Sequence, residues 1–587
     1  MKPTSAHLFE ASWEVCNKVG GIHTVLTTKL AYAQATFPGA YTTVGPLLAS
    51  NPNFHKEDTP EVFAKVFAKL AERGIEAQYG YWITEGHPPC ILLGWGGLAS
   101  SLNSYKASFW EHHKLNTLNT DFFDVDTPLL WSIAVGHLVA EYQAETGENT
   151  LFHGHEWLAA GAFLVLHDYP AVKTVFTTHA TVLGRALSSG GEDIYTHIEK
   201  IDPTEASESH NVVAKHQLEA LSAQLSTVFT TVSHLTGREA SQFLGRKPDI
   251  ITENGVDSKL FPAFDALCDM HDENREVLHD FVSAYFFSSY RFDLSSTTYQ
   301  FTMGRYETHN KGYDLYLQSL GALNRELIAE NSPKTVVAFF FVPGDALRIR
   351  PEVTFQLAVN SHLTHTLHTY SARQQRELYQ SLWEEGEHCA NITILPAQVI
   401  EQLKQLIVKL PVYEMPPISP FDLRNPDQDG ILNAAKAAGL ANREEDRVKV
   451  IFFPAYFDGF DGIFNRSLYQ LISGCDLGVF PSLYEPWGYT PMESLAMGVP
   501  GITSNLAGFG LAASERAKGE RGSLILEREG RSDAEVATTL TGMLKAAVNL
   551  DPRVHMLDRM SAYQVIQKFD WRELYDRYHE AYALATK

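Results

Sequence analysis

The sequence predicts an α/β protein with two large domains, each a parallel sheet carrying helices on both faces. Short apolar runs of strand length alternate with helix-period segments over most of the chain, as when crossover helices bury strands on both faces. The pattern fills the first half and restarts near residue 299. At 587 residues the chain also exceeds the roughly 250–300 that one hydrophobic core usually serves.

In the first half, residues 7–11 read as a strand, 17–21 as a glycine turn and 22–35 as a helix. Residues 151–153 and 174–178 are further strands that run into polar tips. The pentapeptide TVFTT occurs at 174–178 and at 227–231; with no fixed period around it, it reads as two strands of similar burial rather than a tandem repeat. Strands follow at 299–303, 335–342, 448–453 and 477–480. Between them, residues 355–447 are mostly helical in pattern, with apolar residues at helical spacing in 373–385 and 399–410. That stretch predicts a protruding helical arm, suited to subunit contact, with plain surface decoration as the alternative. The expected divisions are 1–280, 281–565 and a terminal helix at 566–587 able to pack back on the first domain.

A composition of 44% apolar and 11% aromatic residues supports ordinary packed cores. The formal charge of −23 excludes nucleic acid and anionic membrane as natural partners, and obliges any phosphate site to gather its own cations. Cys16, Cys90, Cys268, Cys389 and Cys475 show no CxxC spacing, which argues against a zinc cluster or a disulfide framework. The N-terminus lacks the apolar core of a signal peptide, and apolar runs such as 336–342 fall far short of the ~20 residues that span a bilayer. A soluble, cytoplasmic protein is expected.

The segment SLYEPWGYTPMESLAMGVPGITSNLAGFG at 482–510 carries the most chemistry. A strand, then Pro486 and Gly488, then Thr490-Pro491-Met492-Glu493 read as a turn into a helix with a capping box at Thr490 and Glu493. Unpaired N–H groups and the positive end of a helix make such a turn a phosphate seat. Glu485 and Glu493 bracket it, and carboxylates beside a phosphate suit hydroxyls, so a sugar nucleotide is the ligand this arrangement suggests. Lys18-Val19-Gly20-Gly21 is a glycine turn between strand and helix, either a plain tight turn or a close backbone approach to a ligand. His179 stands at a strand end with Arg185 six residues on, where a doubly wound sheet binds ligands; a hydrogen-bonded structural histidine is the plain alternative. Gly304-Arg305 with Lys311-Gly312 offers two cations at another strand end, against the plain alternative of a solvated loop. Three signals are discounted. His153-Gly154-His155-Glu156 lacks the HExxH spacing and an evident carboxylate partner, 458–462 lacks a calcium-loop register, and Gly508-Phe509-Gly510 with Ala513 is a weak dinucleotide fingerprint that leaves an NAD-dependent oxidoreductase as the outside alternative.

These motifs, in order along nearly the whole chain, resemble the glycogen synthases of the animal and fungal type, glycosyltransferase family 3. The matching stretches are FEASWEVCNKVGGIHTVL, GHEWLAAGA, TTHATVLGRAL, TVSHLTGREA, ENGVD, GRYETHNKGYDLYLQSL and YEPWGYTPMESLAMGVPGITSNLAGFG. The resemblance implies the GT-B arrangement of two Rossmann-like domains across a cleft. It implies retaining, metal-independent transfer of glucose from UDP-glucose to the non-reducing end of an α-1,4-glucan, with no cofactor. The alternative within the class is another retaining glucosyltransferase, with ADP-glucose as donor or a different acceptor. Carried onto this sequence, Arg305, Lys311 and Arg185 would face the diphosphate, Glu485 the donor glucose, Glu493 the ribose and His179 the sugar near its 6-hydroxyl. Lys18, Gly20, Gly21, Asn254, Trp487, Gly488, Tyr489 and Thr490 would line the substrate cleft. Family members form tetramers through a helical insertion, which implicates 355–447. The C-terminal stretch 551–571 offers only Arg553, Arg559 and Lys568 as fixed cations and no tail follows, so weak response to glucose 6-phosphate and a prokaryotic source are expected.

Overall fold

A computed structural model describes residues 6–118, 120–384 and 395–587. Two large sheets organise it. The first has nine strands in the order Phe54–Lys56, Glu76–Trp82, Pro89–Gly94, Tyr41–Pro46, His7–Ala11, Thr150–His155, Val172–Thr178, Val228–Thr231 and Ile250–Ile251. Only the pairings made by Glu76–Trp82 are antiparallel. The second has six parallel strands: Val448–Phe453, Thr335–Phe341, Thr297–Met303, Leu477–Phe480, Gly501–Ser504 and Ser523–Leu526.

The central strands are buried at every residue, as in His7–Ala11 and Thr335–Phe341, because helices cover both faces; hence their continuous apolar runs. The repeated TVFTT segments are adjacent parallel strands in register, with Val175 opposite Val228. Their threonines close the seam: the Thr174 and Thr227 hydroxyls each accept from the other residue's N–H, at 2.9 and 3.1 Å. The helix Thr127–Thr146 is buried nearly all round, and the core of the first lobe forms on it.

Helix Phe264–Phe286 packs in the aromatic core of the second lobe through Leu267, Leu278, Phe281 and Val282. The expected break at 280 falls inside this helix, whose apolar stripe commits it to one side. The last helix, Trp571–Ala585, returns to the first lobe: Trp571 donates to the Thr28 hydroxyl at 2.8 Å, and Tyr582 lies 3.0 Å from His153.

The arm is shorter than 355–447. Helices Pro351–Glu384 and Ala397–Ile407 carry it, with 385–394, and so Cys389, outside the described residues. Beyond it Phe421–Leu423 pairs with Ala346–Ile349, and Gly430–Ala437 buries Ile431 and Ala435 in the second core. Gln, Glu and His enrichment hid that return, because only a few apolar positions make it. Among the described residues no helix is long and apolar enough to cross a membrane.

Candidate active site

The carboxyl ends of the two sheets face each other, where open α/β sheets bind ligands. Ser188 of the first lobe donates to Asn310 of the second at 2.7 Å, Tyr484 to Glu239 at 3.2 Å, and the Tyr489 hydroxyl to the Gly255 carbonyl at 3.3 Å. Gly21 lies where an added Cβ would sit 4.0 Å from Tyr489 Cδ2. The glycine turn of one lobe thus abuts the helix opening of the other.

On the second lobe, the loop after Thr297–Met303 carries Arg305, largely exposed to the cleft and 3.2 Å from Glu307. Lys311 follows, buried and ion-paired with Glu485. Gly312 at φ +71° starts the helix Tyr313–Ala329, and an added Cβ there would meet the Pro481 carbonyl at 2.1 Å. That close approach ties the Lys311 loop to the Glu485 loop.

The capping box at Thr490 does not form. Helix Tyr489–Ala496 starts two residues earlier, capped by Gly488 at φ +105°, with no side chain on its first N–H groups. Glycine alone takes that turn without strain, which moves the start forward and leaves those donors to a ligand. Glu493 instead accepts from the Tyr469 hydroxyl at 2.9 Å. Burial raises its carboxyl above the usual range, while Lys18 and Lys311 pull the other way. Both cations therefore lie at the same end of the cleft as Glu493. Trp487 is no cleft residue: it is buried, donates to the Met492 sulfur and packs on Phe509.

On the first lobe, helix Gly21–Thr36 starts at the glycine turn. Glu14, which the sequence reading missed, accepts from the N–H groups of Gly20 at 2.8 Å and His23 at 2.9 Å. A Cβ at Gly20 would sit 2.9 Å from its carboxylate. Gly20 therefore serves Glu14, and Gly21 is the turn residue left facing the opposite lobe. Asn254 is buried, and its side-chain oxygen has no partner among the described residues.

Three further carboxylates hold the loop that carries His179 and Arg185. Glu156 accepts from the N–H groups of His179 at 2.9 Å and Ala180 at 3.2 Å. Glu219 accepts from the Thr178 hydroxyl and from Val182 N at 2.8 Å. Glu239 accepts from Thr181 at 2.5 Å and Tyr195 at 2.6 Å. Burial raises all three, Glu156 to about 7 and Glu219 to about 8. His179 is buried, its Nε2 lies 3.0 Å from His155 Nδ1, and burial drives its pKa well down, so it is neutral. Arg185 is held above its usual range: Tyr484, Glu156, Glu307 and Glu485 together outweigh its burial.

The discounted motifs resolve differently. His153 and His155 do have a carboxylate partner: Glu10 lies 3.2 and 2.9 Å from their ring nitrogens. That partner is remote in sequence and reached only across the sheet. These three are the only metal-ligand cluster found among the described residues. The Lys29 ammonium is ion-paired with the same Glu10 oxygen, so the cation position is filled. The carboxylates of Asp458 and Asp461 are spent on N–H groups of their own loop. Gly508 and Gly510 press on the carbonyls of Pro486 and Ser504, which explains the glycines as packing and leaves no dinucleotide turn. Arg559 is buried beside the Cys475 carbonyl and lines a cavity of about 360 Å³ with His271, Arg275, Lys334 and His555. Counting cations on one stretch of sequence missed these partners.

Two Rossmann-like lobes that set cations, an uncapped helix start and carboxylates on facing sheet ends define a glycosyltransferase of GT-B architecture. A sequence profile of the glycogen synthase family matches residues 10–587. The chain is 33% identical to liver glycogen [starch] synthase of Mus musculus over 98% of its length and 82% of that protein's. It is 32% identical to glycogen [starch] synthase isoform 1 of Saccharomyces cerevisiae, over 99% and 86%. Among solved structures, a UDP-forming α,α-trehalose-phosphate synthase from Burkholderia xenovorans superposes with a TM-score of 0.50 at 9% identity, covering 99% of this chain and all of that one; this likeness concerns the fold alone. The chain belongs to the glycogen synthase family and is an enzyme of glycogen synthesis.

Proposed function

We propose that the donor is UDP-glucose and that transfer to the 4-hydroxyl of an α-1,4-glucan retains configuration and uses no metal. The observation that carries this is the Lys311–Glu485 pair beside the uncapped start of helix Tyr489–Ala496. Cations and free N–H groups converge where a diphosphate departs, and one such preorganised contact is worth ~3 kcal/mol in the transition state. Arg305, Lys311 and the N–H groups at Tyr489 and Thr490 take the diphosphate, with Arg185 and Lys18 beside it. Glu485 binds hydroxyls of the donor glucose, the free oxygen of Glu493 the ribose, and His179 the 6-hydroxyl. Asn254 lines the cleft nearby. Among the described residues no side chain is assigned as a nucleophile for double displacement. The bond from C1 to the departing phosphate breaks as the acceptor oxygen bonds C1 on the same face, and the acceptor's proton passes to that phosphate.

The same reading makes the arm an oligomer contact, and a tetramer its product, because Phe355, Leu367, Ile400, Ile407, Val408 and Val412 stand exposed along it. It also keeps the response to glucose 6-phosphate weak: Asp476 bonds Arg275 at 2.7 Å and sits 3.7 Å from His555, answering part of that cavity's charge. A cytoplasmic location and a prokaryotic source complete the proposal. Incubation with radiolabelled UDP-glucose or ADP-glucose and glycogen, with and without EDTA, tests the chemistry. Label should enter polymer from UDP-glucose in either buffer; preference for ADP-glucose, or loss on chelation, overturns the respective part.

A further inference from the structure

Beneath the cleft floor of the first lobe, polar side chains that the reaction leaves unused are hydrogen-bonded in series. Glu10, on the central strand, is fully buried and pairs with Lys29. It accepts from the Tyr41 hydroxyl at 2.5 Å and lies 2.9 Å from His155 Nε2. His155 Nδ1 in turn lies 3.0 Å from His179 Nε2. The remaining ring nitrogen, Nδ1 of His179, has no partner among the described residues and is not among the fully buried unpaired atoms. It therefore opens on the cleft, at the carboxyl end of strand Val172–Thr178.

Donors and acceptors along this series can be counted. Burial alone would raise the Glu10 carboxyl, but Lys29 and the two histidines outweigh it and hold the group well below the usual range. An ionised carboxylate only accepts, so His155 carries its proton on Nε2. Burial keeps His155 neutral, its value pushed down to about 3, and a neutral imidazole has one donor and one acceptor nitrogen. His155 Nδ1 is then an acceptor, and His179 must donate to it from Nε2. That leaves His179 Nδ1 without a proton.

We propose that Glu10 and His155 are positioning residues that fix the tautomer of His179, so that its Nδ1 meets the substrate as an acceptor and selects a sugar hydroxyl over a group unable to donate. The choice of that hydroxyl, the 6-hydroxyl of UDP-glucose, rests on the function proposed above; the tautomer does not. Lys29 keeps Glu10 ionised although both side chains are fully buried. His153, 3.2 Å from Glu10, donates to or accepts from Tyr582 at 3.0 Å, which ties the terminal helix to the same series.

Two measurements test this. The first needs no substrate: histidine-selective ¹⁵N NMR of the whole protein, with the His179 signal assigned by its loss in His179→Gln. The signal should show a proton on Nε2 and a bare Nδ1; a proton on Nδ1 overturns the proposal. The second compares UDP-glucose with its 6-deoxy-6-fluoro analogue, which can accept but not donate. Wild-type kcat/KM should fall about ten- to a hundredfold for the analogue, the cost of leaving a buried acceptor unmet. In Glu10→Gln/Lys29→Met, the new amide can donate to His155 Nε2, which reverses the series and makes His179 Nδ1 a donor. The penalty against fluorine should then shrink or invert, a change that loss of packing would not produce. An unchanged penalty in a folded double variant refutes the series while leaving the donor assignment intact. No turnover of UDP-glucose by the wild type refutes the donor assignment, and the NMR measurement still decides the tautomer, as it does where the double variant fails to fold.

Discussion

Replacing Glu219 by glutamine should remove one buried group's contribution to the loss of stability as pH rises. Glu219 is completely buried under the His179 loop, accepting from Thr178 and from Val182 N. Burial, and then the charge of Glu156, raises it from 4.5 to about 8. In this window the folded chain keeps a proton that the unfolded chain has released, so raising pH favours unfolding. Linkage with those two values gives a loss of roughly 3–4 kcal/mol between about pH 5 and about pH 8. Below 4.5 both states hold the proton and the slope vanishes. Glutamine mimics the protonated acid: its N–H can donate to the Thr178 hydroxyl while its oxygen accepts from Val182. The assay is the denaturant midpoint of wild type and Glu219→Gln across that pH range. Relative to wild type, the variant should lose less stability toward the alkaline end; the slope common to both proteins comes from the other buried groups, Glu156, raised to about 7, among them. Parallel curves for the two proteins would refute the claim that Glu219 is buried as the neutral acid.

Other substitutions separate the site from its scaffold. Lys311→Met should lower kcat/KM by about a hundredfold or more, the scale of one preorganised charge contact, with the thermal midpoint checked in parallel; a wild-type rate removes Lys311 from the diphosphate site. Glu485→Ala should nearly abolish turnover in a folded protein, and retained activity would remove that carboxylate from the sugar site. Gly312→Ala should cut thermal stability, because φ is +71° and the Pro481 carbonyl lies 2.1 Å from the new Cβ; an unchanged midpoint contradicts that packing. Gly21→Ala should fold normally yet raise KM, since its Cβ enters the cleft opposite Tyr489, and an unchanged KM would place the substrate elsewhere.

The alternation of apolar runs and helical stretches made the doubly wound class legible, because strands covered on both faces leave no other pattern. The glycine turns and the cations Arg305 and Lys311 were legible because each sits at a strand end, where sheet geometry delivers ligands. Part of what the sequence hid depends on pairing across the sheet. Glu10 meets His153 and His155 only because strands distant in sequence lie side by side. Glu14 caps a turn six residues on, a local contact that follows from how the loop folds back and has no spacing signature of its own. The capping box at Thr490 was misread because a positive-φ glycine outcompetes a threonine cap, and φ is not written in residue identity. The arm was overextended because Gly430–Ala437 buries so few residues that its return to the core leaves a faint trace.

The central claim is that facing sheet ends grip a departing diphosphate. The most direct measurement is a crystal structure with UDP bound. The account predicts the diphosphate between Arg305, Lys311 and the N–H groups at Tyr489 and Thr490, with the ribose toward Glu493. UDP lodged away from both lobes' inner faces, with Lys311 still closed on Glu485, would contradict it.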